Sequence, residues 1–151
     1  MKSPHAPLAV ASMALLLTGC ASSPSVDIDA AQTWYDSVVA AESDGPGSIG
    51  VAGMQIGPDE PGSEVRIDFA QPTELSRVDV RCFGGVTAAV TVSLTGVTDG
   101  IAAKQQEIPC DEEAHTIQID SAAADGFTVS ATSPARTFLH ATALQELTVE
   151  R

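Results

Sequence analysis

Beyond residue 20 the chain holds two histidines, His115 and His140, and two cysteines, Cys82 and Cys110. Together these four are the donor set of a Cys2His2 zinc site, and Cys110 with His115 has the composition of a thiolate–imidazole pair. A zinc finger, however, brings its ligands in two close pairs, and here each pair is widely separated. The stretch CDEEAH, residues 110–115, concentrates Asp111, Glu112 and Glu113. With Asp120 or Asp125 it offers the oxygen ligands that Ca²⁺ takes, although a solvated turn between strands is the plainer reading. Asp68 and Asp79 are the two carboxylates from which an acid–base enzyme could be assembled, provided they stand about 5–9 Å apart in a cleft. A serine nucleophile would need a G-x-S-x-G elbow, but GPGSIG at 45–50 has Pro46 where the first glycine belongs. There is no S-x-x-K, no H-E-x-x-H, no phosphate-cradling glycine loop and no Ca²⁺-loop spacing. These residues predict a non-enzymatic protein with no cofactor.

Composition narrows the partners. The chain has 7 Lys+Arg against 20 Asp+Glu. Such a surface repels nucleic acid and anionic headgroups, which excludes nucleic-acid binding. Hydrophobic residues make up 44% of the chain and aromatics only 4%, so the core must be built from Val, Ile, Leu and Ala. Sugar binding through exposed aromatic platforms is poorly served, since the four Phe fit inward positions. Trp34 and Tyr35, adjacent on a helix, are the one aromatic pair that a ligand could use, and core packing suits them better.

The segment VDIDAAQTWYDSVVAAESDG, 26–45, reads as one helix. Ile28, Ala31, Tyr35, Val38, Val39 and Glu42 recur near i, i+3, i+7, and all but the last are apolar. Ser25 or Asp27 can cap the start, and Gly45-Pro46 end it. Packing on the domain's own sheet is expected of this stripe before docking on a partner. From Ile49 the period becomes 2. One face collects Val65, Ile67 and Phe69, then Val78, Val80 and Cys82. Next come Val86, Ala88, Val90, Val92 and Leu94, then Ile117 and Ile119, then Phe127, Val129 and Ala131. IGVAGMQI at 49–56 and TFLHATALQELTV at 137–149 complete the set, the latter read as strand although Leu139, Ala143 and Leu147 also fit a helix. Breaks are expected at Gly57-Pro58, Pro61-Gly62, Gly84-Gly85, Asp99-Gly100 and Asp125-Gly126. The predicted fold is mainly β: an antiparallel β-sandwich of seven or eight strands preceded by one amphipathic α-helix.

The N-terminus addresses location. MKSPH carries the positive start, APLAVASMALLL at 6–17 is a 12-residue apolar run, and small residues lead to Cys20. A membrane span needs roughly 20 apolar residues, so this is a secretory signal. Leu17-Thr18-Gly19-Cys20 resembles the lipobox of bacterial lipoproteins. In that family the cysteine thiol is alkylated by diacylglycerol and the preceding peptide bond is cut. The resemblance implies that Cys20 is the lipidated first residue of the mature chain and that lipid holds it to the extracytoplasmic face of the cell membrane. The alanine-, aspartate- and glycine-rich, lysine-poor composition is similar to that of small actinobacterial lipoproteins.

The organisation expected is a signal peptide at 1–19, the lipidated Cys20 with a short tether to 26, and one helix-plus-sandwich domain at 27–151. Lipid consumes one of three cysteines, and outside the cytoplasm disulfides persist. Cys82 follows Val78 and Val80 in phase and Cys110 follows Ile108, so the two are expected to pair across the core, the alternative being two buried thiols. The functional expectation is an interaction or accessory module of the cell envelope, with a protein partner possible. The alternative is a small-ligand or Ca²⁺ binder using the acidic loops.

Loss of Lys2 with the signal leaves 6 Lys+Arg and 20 Asp+Glu, a formal charge of −14. Protonating the acids removes that repulsion. Light scattering is expected to rise as pH falls from 7 toward the sequence pI of about 4.2; a flat trace would show that charge is not what keeps the chain dispersed.

Overall fold

In the computed structural model the described residues are 24–43, 45–58, 63–97 and 103–145. The predicted helix is α1 (Ile28–Glu42). Asp27 caps it, its carboxylate accepting from the backbone N–H groups of Asp29 and Ala30, each at 3.1 Å. Ser43 ends it before Gly45-Pro46. Six strands follow: β1 (Ser48–Ile56), β2 (Ser63–Cys82), β3 (Thr87–Thr95), β4 (Ala103–Pro109), β5 (His115–Thr132) and β6 (Thr137–Leu144). All pairings are antiparallel, in the order β1-β6-β2-β5-β3-β4.

The protein is mainly β with one helix ahead of the strands, as the periodicity predicts. The strand count is reached in an unforeseen way. Two pairs of predicted runs are continuous: 64–70 with 77–83 along β2, and 115–120 with 127–131 along β5. Each long strand bends at mid-length. The β2–β5 ladder shifts register between Asp68 and Thr73 and again between Leu75 and Arg77. The shift also changes phase: Val65, Ile67 and Phe69 face the core in the first half of β2, and Val78, Val80 and Cys82 in the second. Unequal lengths of the two strands between paired residues allow this, as in a bulge: the stretch from Asp68 to Thr73 on β2 faces only Gly126 to Ala124 on β5, and Leu75 to Arg77 faces Ala122 to Gln118. Eight strand segments therefore serve two layers. One layer is β1, β6 and the halves of β2 and β5 around 77–82 and 115–118; the other is the remaining halves with β3 and β4.

The Asp125-Gly126 break expected from sequence is no turn. Gly126 lies within β5, where a β-carbon would run into the Ile67 carbonyl of the neighbouring strand. Glycine serves close backbone approach at the bend, not chain reversal. The Gly84-Gly85 turn is present, with φ of 110° and 68°. Pro61-Gly62 and Asp99-Gly100 lie outside the described residues, as do Cys20 with its preceding segment and the last residues of the predicted 137–149 strand. Strand β4 was not foreseen. Its middle, Lys104 to Glu107, is charged or amide-bearing and Ile108 is its one buried residue, as suits an edge strand.

The core lies between the layers and is aliphatic. Val80, Val90, Val129, Ile117 and Leu139 are buried there with Phe127, the largest of the fully buried side chains. Of the four Phe expected inward, Phe127 alone is fully buried; Phe69, Phe83 and Phe138 are half-buried. At one end of the sandwich, Cys82 and Cys110 sit at disulfide distance, their Cα atoms 4.4 Å apart and both side chains buried. The bond would link the last residue of β2, in one layer, to the residue after β4, in the other. Closing a loop with a sequence separation of 28 should contribute about 3–4 kcal/mol in the chain-entropy model. Non-reducing peptide mapping is expected to recover Cys82 and Cys110 in one linked fragment, and Cys82→Ala with Cys110→Ala to lower thermal stability; two free thiols would refute the pairing.

Candidate functional site

The outer face of the first layer is where α1 lies. Strand alternation turns Phe138, His140 and Thr142 of β6 and Asp79 and Arg81 of β2 away from the core and toward the helix side. The half-buried stripe of α1 meets them, with Ala31 its one fully buried residue. Trp34 sits 5.8 Å from Phe83 and Tyr35 5.3 Å from Phe138, ring centre to ring centre. The pair singled out from sequence thus packs on the protein's own sheet. Gly53 of β1 makes room, since a β-carbon there would collide with the Tyr35 hydroxyl. Burial, and then the neighbouring Asp36, raise the Tyr35 pKa above its ordinary value.

A polar cluster closes the C-terminal end of the helix. Glu42 Oε1 is 2.6 Å from Arg81 Nε, an ion pair out of line for a hydrogen bond. Thr142 Oγ1 donates to Glu42 Oε2 at 3.3 Å. His140, 1% exposed, brings Nδ1 to 3.5 Å from the same Oε2, and neither of its ring nitrogens makes a hydrogen bond within the protein. Burial pushes the His140 pKa below the usual histidine value; Glu42 opposes that shift and Arg81 adds to it. Beside this cluster is an open pocket of about 160 Å³, lined by Glu42, Asp79, Arg81, Ser48 and Thr142 among others. Its charged groups are already engaged: Asp79 accepts from Thr116 at 2.7 Å, and Arg81 Nη1 donates to the Glu112 carbonyl at 3.0 Å.

The other candidates are dispersed. Asp68 pairs with Arg66 at 2.8 Å on one half of β2, while Asp79 lies on the other half and in the other layer, so the two carboxylates do not share a cleft. Asp111, Glu112 and Glu113 form an exposed turn pinned by the Glu112 N–H to the Cys82 carbonyl at 3.0 Å. Asp111 turns to His115, 2.8 Å away, and that hydrogen bond, the largest influence, holds its carboxyl below the ordinary value. Cys110 and His115 therefore have separate partners. Asp120 reaches Lys104 at 3.1 Å, and Asp125 approaches Gly96. Among the described residues no three His, Cys, Asp or Glu side chains gather as a metal site would require. Sequence reasoning missed the Glu42–Arg81–His140–Thr142 cluster. Its signal was there: Glu42 is the one acid on the helix's apolar stripe, and Arg81 stands between inward Val80 and Cys82.

No protein-family model and no curated protein matches the chain. Among the described residues no helix is long and apolar enough to cross a membrane.

Glu42 is the one group here that favours protonated His140. Glu42→Gln is expected to move the His140 titration, followed by NMR, to lower pH, and to cost about 1–2 kcal/mol of stability by leaving Arg81 without its carboxylate. An upward or absent shift would contradict the geometry described.

Proposed function

We propose that this chain is a lipid-anchored lipoprotein of the extracytoplasmic face, acting without catalysis as an interaction or accessory module of the cell envelope. The observation that carries the reading is the 12-residue apolar run ending in Leu17-Thr18-Gly19-Cys20. One acyl chain binds a membrane marginally and two bind it firmly, so a diacylglycerol on Cys20 suffices as an anchor. The fold supports the same arrangement. Val26 packs against Gly84, at a φ of 110° where a β-carbon would strike the Val26 methyls. The chain is therefore part of the folded body from Val26 onward. Residues 21–25 are all that separate it from Cys20, a reach of roughly 20 Å at about 3.3 Å per residue. On this reading the domain is held close to the membrane, and its partners are found there.

The charged groups lining the pocket beside α1, Glu42, Asp79 and Arg81, each engage a protein partner. That favours a surface for association over a site for chemistry. The test is expression of the full chain in a bacterium, with detergent phase partitioning and mass determination. Wild-type protein is expected in the detergent phase, carrying a diacylglycerol mass and starting at Cys20. Cys20→Ser is expected in the aqueous phase or unprocessed; a Cys20→Ser chain that partitions and is processed like wild type would end the proposal.

A further inference from the structure

We propose that α1 is an acid-released cover, which leaves β6 when His140 is protonated while the folded sheet stays closed. His140 lies beneath the helix with 1% of its surface exposed. Its register partners are Gly53 on β1 and Arg81 on β2. The titratable and charged groups facing it are Glu42 and Tyr35 from α1 and Arg81 from β2; β1 presents glycine there. A proton on this ring would be buried beside a guanidinium, with one carboxylate 3.5 Å away that already serves Arg81 and Thr142. A buried charge short of partners is expelled or hydrated, and here hydration requires the helix to lift.

The rest of the fold lets this happen locally. The core between the layers includes no residue of α1. The helix is held by Ala31, the ring contacts of Trp34 with Phe83 and of Tyr35 with Phe138 and His140, and the polar cluster, so it can leave without opening the sandwich. The sign follows from burial lowering the docked His140 below its exposed value of about 6.5. The undocked form then binds the proton more tightly, so docking is complete above that value and is lost as pH falls through the docked one.

Trp34 is the chain's one tryptophan and sits on α1 against Phe83, so its emission reads docking directly. The full chain in detergent is titrated from pH 7.5 to 5, following Trp34 emission and the amide I strand band. A red shift with a midpoint below about 6.5, an unchanged strand band, and loss of the transition in His140→Gln are expected. His140→Phe, which fills the site without a titrating group, should stay docked throughout. Should neither variant fold, the wild-type imidazole resonance of His140 must titrate together with the Trp34 shift. The proposal is overturned by a constant emission, by the same transition in either variant, by an imidazole that titrates apart from Trp34, or by strand signal lost along with the shift.

Discussion

A strand buries every second side chain, and a sheet with one apolar face must find something to cover it. This chain covers the face with the same sheet. Strands β2 and β5 are long enough to line both layers, and the register shifts near Thr73 and Arg77 let them change direction while keeping Val, Ile and Phe side chains inward on both sides of the bend. The rest of the structure follows from that fold-over. It determines that β1 and β6 belong to one layer and β3 and β4 to the other. It also brings the end of β2 beside the end of β4, so that Cys82 and Cys110 can approach to 4.4 Å.

The second layer's outer face is left to polar residues such as Thr91, Ser93, Thr128 and Ser130, whereas the first layer's outer face carries Phe138 and His140 and is roofed by α1. The roof is uneven. Near its middle, aromatic rings pack; at its C-terminal end, Glu42, Arg81, Thr142 and His140 meet in a setting half removed from water. Charge-assisted contacts of this kind contribute little when wet and are costly when left unpaired. The helix is thus joined to the sheet by the interactions most sensitive to solvent conditions, while the inter-layer core is almost wholly aliphatic.

Much of the fold was legible because alternation survives any topology. Val78, Val80 and Cys82 point inward whichever strand they pair with, and Asp27 caps a helix by local chemistry alone. What sequence could not show was continuity. The Asp125-Gly126 dipeptide reads as a chain break, and the runs 64–70 and 77–83 read as two strands; only tertiary pairing reveals that β5 and β2 bend there and run on. Edge strand β4 was hidden because Lys104, Gln105, Gln106 and Glu107 need no buried partner. The polar cluster was half legible: Glu42 on an apolar stripe and Arg81 between inward residues stand out singly, but the packing of a helix on a sheet draws them together, and no spacing along the chain records that. The inward phase of Cys82 and Cys110 was visible, since both follow aliphatic residues that face the core.

The position of β6 has a consequence for the order of events during biosynthesis. β6 is the last described strand, yet it lies between β1 and β2 and is the only strand to which β1 is hydrogen-bonded among the described residues. A polypeptide emerges N-terminus first. While residues 137–144 are still inside the ribosome, β1 has no hydrogen-bonded neighbour and the first layer has a gap at its centre. Closing that gap joins segments some ninety residues apart, as in the pairing of Ser48 with Leu144, and non-local closures of this kind are slow. The first layer therefore stays unpaired at β1 until residues 137–144 have emerged, and its closure is a late step however early the helix and β1 are made.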